Sequence, residues 1–185
     1  MPSRSKKVLL LHGWGGSDFP HWQSWLAGEI AKEYGYVSFL KFSDFEFPDF
    51  AVWKKELTAH LKDFRPDIVI CHSLANTLWF HLCNTNAVKK VQKLYLVAPP
   101  SLKCNIPELE SFFPLQMPKN PYADTTLLVA STDDPYMSMD ETKELQNSLG
   151  VEMIVLENAG HINADSGYGE WPWILKKIKE DLKND

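Results

Sequence analysis

Three short stretches of this 185-residue chain carry side chains able to do covalent chemistry. They are Cys71-His72-Ser73-Leu74-Ala75, Ser131-Thr132-Asp133-Asp134-Pro135 and Asn158-Ala159-Gly160-His161. A serine hydroxyl is a weak nucleophile until a base takes its proton, and a histidine base works best when a carboxylate fixes its tautomer. Ser73, Asp134 and His161 supply those roles in the chain order nucleophile, acid, base. Each also has a bland reading: a helix N-cap for Ser73, a capped turn for the Asp-Asp-Pro run, a solvated loop position for His161. The three weigh more together than apart, because each directly follows an apolar run.

Acyl transfer through a serine needs a fourth part, N–H donors for the oxyanion. The stretch Leu9-Leu10-Leu11-His12-Gly13-Trp14-Gly15-Gly16-Ser17 is an apolar run entering a glycine-rich loop. Backbone N–H groups from such a loop and from the residue after the nucleophile make the usual pair, here Trp14 and Leu74. A dinucleotide-binding loop is excluded because the glycines lack G-x-G-x-x-G spacing, and a phosphate loop because no G-K-[ST] follows. His12, His21, His60, His72, His81 and His161 form no H-E-x-x-H or comparable metal-ligand pair. No cofactor is implied. His72, adjacent to Ser73, reads as a neighbour that orders the turn rather than as the base.

These groups need elements to hold them. Apolar runs recur at 7–12, 36–42, 67–72, 93–99, 126–131 and 151–157. They are near-continuous rather than alternating, as strands buried on both faces should be. Helical spacing appears at 21–35, 49–64, 138–150 and 171–183, and a helix-like pattern follows Ser73. Gly35 and Gly150 read as C-caps, Asp49 as an N-cap, and Pro172 as a first-turn proline. The alternation predicts an α/β fold with about six mostly parallel strands flanked by helices. Residues 99–124 hold six of the twelve prolines and are expected to be irregular. They leave a strand end, so they belong at the carboxyl edge where ligands bind in open α/β sheets, or else form a rigid surface connection.

Composition narrows the class. With 44% hydrophobic and 23% charged residues, 1–185 is expected to be a single domain. A net charge of -5 argues against nucleic acid and anionic membrane as partners. No apolar stretch reaches the roughly 20 residues of a membrane span, and the N-terminal run is too short for a signal peptide. Cys71, Cys83 and Cys104 form no C-x-x-C pair and no even disulfide set, which suits a cytoplasmic protein. The expected partner is a small-molecule acyl substrate; oligomeric state is not legible.

The motifs His12 through Leu26, Cys71-His72-Ser73-Leu74-Ala75, Ser131-Thr132-Asp133-Asp134-Pro135 and Ala159 through Pro172 resemble those of the small serine hydrolases of the retinoblastoma-binding-protein-9 and YdeN group. The last, with Gly167 and Gly169 leading into Trp171-Pro172, looks like a bacterial member. The resemblance spans residues 8 to 173. It implies a compact α/β-hydrolase fold without a cap domain, with Ser73 as nucleophile, His161 as base and Asp134 as its carboxylate. Cys71 and Ala75 stand where the family pattern has glycines. The segment Leu102-Lys103-Cys104-Asn105-Ile106 lacks the acidic residue of an L-x-C-x-E motif, so no retinoblastoma-protein binding is carried over.

The expected reaction is hydrolysis of small-molecule esters or related acyl bonds through an acyl-enzyme. Thioester or amide hydrolysis would use the same residues, and a non-catalytic binding protein could share the fold. Asp134 is preferred to Asp133 because consecutive residues leaving a strand point in opposite directions, and Pro135 fixes the turn after Asp134. Short acyl groups are expected, with Trp14, Phe19, Trp22, Phe112 and Phe113 crowding the mouth.

Overall fold

The computed structural model describes residues 5–33, 35–85 and 87–183. The first four residues, which contribute to the targeting argument, lie outside these. Six strands, β1 (Lys7–Leu11), β2 (Tyr36–Leu40), β3 (Ile68–His72), β4 (Val91–Val97), β5 (Ala123–Ser131) and β6 (Glu152–Leu156), form one sheet in the order β2-β1-β3-β4-β5-β6. All five pairings are parallel. The helices are α1 (Trp22–Glu33), α2 (Phe50–Phe64), α3 (Leu74–Asn84), α4 (Met139–Leu149) and α5 (Pro172–Lys183).

The strands read as solid apolar runs because both faces of the sheet are covered. Val8, Leu10, Ile68, Ile70, Tyr95, Val97, Leu127 and Val129 pack with α1 and α5. The alternate residues Leu9, Leu11, Val69, Cys71, Leu94, Leu96 and Leu128 pack with α2, α3 and α4. A period of two along each strand thus splits one apolar run between two cores. Truncating a fully buried member such as Leu10 to alanine would cost about 2–5 kcal/mol.

Helix ends follow local chemistry. Asp49 caps α2 by accepting from Val52 N at 3.0 Å. Ser138 and Glu141 form a reciprocal capping box at the start of α4, and Gly150 closes that helix with φ 64°. α2 stops before Pro66, which disfavours the helical conformation in the residue before it; Arg65 closes the helix in a left-handed conformation, φ 52°, its N–H donating to Leu61 O.

The proline-rich segment after β4 holds a 3-10 turn at Pro107–Phe112 and packs down on the α2, α3 and α4 layer. Its carbonyls have no ladder partners, so helix side chains supply them. His81 Nε2 donates to Phe112 O at 2.7 Å, Trp79 Nε1 to Pro121 O at 2.9 Å and Ser148 Oγ to Pro118 O at 2.7 Å. Phe112 is fully buried against Phe50 and Trp53, and Trp22 is fully buried on the opposite layer. Neither can crowd an active-site mouth as expected from sequence; large apolar rings placed next to a sheet edge were pulled into the core instead. Among the described residues, no helix is long and apolar enough to cross a membrane.

Candidate active site

β1 leads to a neighbour on one side, β2, and β3 continues the sheet on the other. The adjacent carboxyl ends of β1 and β3 therefore diverge at a topological switch point, where open α/β sheets form a crevice. The Gly13 loop leaves β1 there, and Ser73 leaves β3. Asp134 follows β5 and His161 follows β6, so all four groups gather along one sheet edge.

Ser73 sits between β3 and α3 with φ 54° and ψ -126°, and its side chain caps nothing. A non-glycine residue in such a conformation is costly and persists only when its surroundings over-determine it. Here Ser73 N donates to Val97 O at 3.1 Å, and Asn76 N donates to Ser73 O at 2.9 Å. The Asn76 side chain adds bonds from Nδ2 to Ser73 O at 2.8 Å and to Val97 O at 3.0 Å. A helix N-cap serine would be extended and would accept from its own first turn. Ser73 does neither, so its hydroxyl is left for another partner.

That partner is His161, whose Nε2 lies 2.8 Å from Ser73 Oγ. His161 Nδ1 lies 2.9 Å from Asp134 Oδ2 and 3.0 Å from Oδ1. With a carboxylate on Nδ1, that nitrogen carries the proton and Nε2 is free to accept from the serine. The Asp134 side chain is only 4% exposed. Asp133 turns elsewhere: its Oδ1 accepts from Ser131 Oγ at 2.6 Å and from Gly160 N at 2.8 Å. The Ser131 bond, followed by the Gly160 bond, holds its carboxyl below the ordinary range.

The loop carrying His161 is anchored at successive amides. Asn158 N donates to Thr132 Oγ1 at 3.0 Å, Ala159 N to Ser131 Oγ at 3.0 Å, Gly160 N to Asp133, and His161 N to Ser166 Oγ at 3.1 Å. Two ring donors hold the carbonyls: His72 Nε2 on His161 O at 3.0 Å and Trp22 Nε1 on Ile162 O at 2.8 Å. His72 thus tethers the His161 loop to the end of β3, next to Ser73. Ser131, Thr132, Ser166 and Trp22 in this role were not evident from sequence. The Ser-Thr-Asp run offered a signal, since three consecutive short acceptors at a strand end suit a neighbouring loop's amides.

The glycine loop is fitted to Ser73. A Cβ added at Gly13 would lie 2.6 Å from Ser73 Cβ, 3.0 Å from its Oγ and 3.1 Å from Leu74 N. Leu74 heads α3, so its N–H is one that a helix leaves without an intrahelical partner. His12 orders this loop from below. Its Nδ1 donates to Gly13 O at 2.7 Å while its Nε2 accepts from Phe42 N at 2.9 Å. Both nitrogens are thereby committed to the neutral tautomer, and burial lowers its pKa. Trp14 Nε1 donates to Glu46 O at 2.9 Å, which fixes the indole at the rim. Cys71, in β3, and Ala75, in the first turn of α3, are both fully buried. Burial pushes the Cys71 thiol up, away from reactivity.

Two further histidines lie close to His161. The His72 ring lies 5.2 Å from His161 and 4.9 Å from His21. Burial, reinforced by the neighbouring imidazoles, holds His72 well below the usual histidine range and His21 at about 4. Both are therefore neutral near pH 7. On the exposed side, Tyr136 lies with its ring 4.5 Å from His161. A groove of about 620 Å³ opens within the proline-rich segment, and none of Ser73, Asp134 and His161 lines it.

No curated protein matches this sequence. Among solved structures, a protein described as a YdeN-like hydrolase from Pectobacterium atrosepticum superposes with a TM-score of 0.77 at 25% identity, over 96% of this chain and 90% of that one. The ydeN gene product of B. subtilis gives 0.80 at 17% identity, over 97% and 100%. An esterase domain from a Rhodothermus marinus protein gives 0.67 at 12% identity, over 97% and 87%. The last two likenesses bear on the fold alone. The sequence profile of the serine hydrolase family matches residues 8–180, nearly the whole chain. An α/β-hydrolase fold, hydrolase neighbours and a match of that length lead to one conclusion: this chain belongs to the serine hydrolase family.

Proposed function

We propose that the enzyme hydrolyses small-molecule carboxylic esters through an acyl-enzyme, with Ser73 as nucleophile, His161 as base and Asp134 as orienting carboxylate. One observation carries this reading: the unbroken run of bonds from Ser73 Oγ to His161 Nε2 and from Nδ1 to Asp134, made by a serine that caps no helix. His161 takes the Ser73 proton as Oγ bonds to the acyl carbon. The negative charge on the former carbonyl oxygen is met by the Trp14 and Leu74 N–H groups. The C–O bond to the leaving group then breaks, and the proton passes from Nε2 to the departing oxygen. Water repeats the sequence on the acyl-enzyme and returns the serine. Asp134 keeps the proton on Nδ1 and stabilises the imidazolium without itself being protonated.

A fluorophosphonate should label the wild type and leave Ser73→Ala unlabelled. Turnover by Ser73→Ala within about tenfold of wild type would overturn the assignment, since loss of a triad member normally costs far more. A panel of acetyl esters, thioesters and amides assayed side by side tests the preference for esters. A reducing, cytoplasmic setting fits the free thiols of Cys71, Cys83 and Cys104, and cell fractionation checks it.

A further inference from the structure

We propose that Tyr136 is the leaving-group wall of this active site and selects esters whose leaving group is a flat aromatic alcohol. The inference rests on the triad reading above and names the substrate class it serves. Among the described residues the His161 imidazole has two ring neighbours. His72 is buried; Tyr136 is 41% exposed, its ring centred 4.5 Å from the imidazole at 62°. The only exposed aromatic surface in contact with the base among these residues is therefore Tyr136.

Its backbone is held from both directions. Tyr136 N donates to Asp134 Oδ1 at 2.9 Å, and Tyr136 O accepts from Ser101 N at 2.8 Å. Ser101 is tied in turn to α4, its Oγ donating to Glu141 Oε1 at 2.6 Å. The ring is thus carried on a segment fixed to the triad carboxylate on one side and to the start of the proline-rich segment on the other. A large aromatic side chain anchored this firmly yet left open to solvent beside a base is placed to meet something that comes and goes.

The chemistry says what comes there. In acylation the serine proton moves to His161 Nε2, the Oγ–C bond forms, the bond from carbon to the leaving oxygen breaks, and the proton ends on that oxygen. The leaving oxygen must therefore come within about 2.6–3.2 Å of Nε2. The first atoms attached to it pass beside the imidazole's exposed neighbour. Aromatic rings pair with tyrosine in offset or edge-on arrangements with centroids about 4.5–7 Å apart. In deacylation water occupies the leaving-group position, so a contact with Tyr136 is made in the first half of the reaction only.

The test compares wild type, Tyr136→Ala, Tyr136→Leu and Tyr136→Phe on phenyl, 2-naphthyl, ethyl and butyl acetates, which share one acyl-enzyme. Rapid-mixing bursts with phenyl acetate separate acylation from deacylation. For Tyr136→Ala we expect kcat/KM to fall about tenfold further on the aryl than on the alkyl esters, with the loss in the acylation step. Tyr136→Leu should resemble it, and carries the comparison should the alanine variant unfold. Tyr136→Phe should retain the aryl preference. Equal losses on all four esters, extending to deacylation, would mean that the ring only orients His161; no change in selectivity would mean that it meets no leaving group. Either result overturns the proposal. Ser73→Ala run alongside separates the two readings: if it still turns over these esters, the triad assignment falls and takes this proposal with it. If it is inactive while Tyr136→Ala loses no selectivity, only the proposal falls.

Discussion

Substituting Gly13 by alanine tests the proposed oxyanion loop with a single methyl group. The backbone of Gly13 is not among those with positive φ, so the change carries no conformational strain of its own. Its effect is steric. The new Cβ would lie 2.6 Å from Ser73 Cβ, about 1 Å inside the usual 3.5–4.0 Å carbon contact. Ser73 cannot easily retreat, because its N–H and C=O are bonded to Val97 and Asn76. The loop bearing Trp14 must move instead. Overpacking of this kind costs about 1–3 kcal/mol, which for a chain of this size lowers the melting temperature by very roughly 2–12 °C. The larger effect falls on chemistry, since the methyl also crowds Leu74 N at 3.1 Å. Losing one oxyanion donor costs about 10²–10³ in kcat. Steady-state hydrolysis of p-nitrophenyl acetate, with thermal melting of the same samples, reads both. Gly28→Ala is the control: it lies in α1 with nothing within 4 Å of the added Cβ, and should stabilise by up to about 1 kcal/mol. A Gly13→Ala enzyme with kcat within about threefold of wild type would refute the placement of the oxyanion at this loop.

Asp134→Asn should lower turnover by as much as about 10⁴-fold by spoiling the His161 tautomer, whereas Asp133→Asn, which loses bonds to Ser131 and Gly160, should cost much less; if the order is reversed, the acid is misassigned. Stability should fall as pH drops from about 6.5 to 4, because an unfolded chain protonates His21 there while the folded one, with a pKa of about 4, does not. That gap corresponds to about 3 kcal/mol for His21 alone, with His12 and His72 adding in the same direction; urea titrations at several pH values check it, and a flat profile would refute it. Activity should decline with acyl length from acetate to octanoate, since Trp14, which follows the Gly13 packed on Ser73, is pinned by its bond to Glu46 O; a steady rise with chain length would contradict this.

Much of the fold was legible because each feature had a local cause. Strands buried on both faces appear as unbroken apolar runs, and all six were placed within a few residues. The caps at Asp49, Ser138 and Gly150 announce themselves by residue type. The site was harder. Residue order and strand-end positions suggest Ser73, Asp134 and His161, but nothing local says that Ser131 and Thr132 hold the amides of residues 158 and 159, since those partners are 26 to 28 positions apart. The same limit applies to Trp22 and Phe112. An aromatic residue near a sheet edge turns toward the mouth or toward the core according to which helix layer lies beneath it, and that is decided by tertiary packing.

The anchoring of residues 158–161 bears on how the enzyme spends its time between encounters. Four successive amides are held by side-chain oxygens, and the next two carbonyls by buried ring donors. A base carried on a loose loop would have to be assembled for every turnover, and that assembly would tax the rate by the fraction of time the loop spends elsewhere. Here the imidazole already faces the serine in the resting protein. On the proposed mechanism, the His161 loop needs no ordering before the serine attacks.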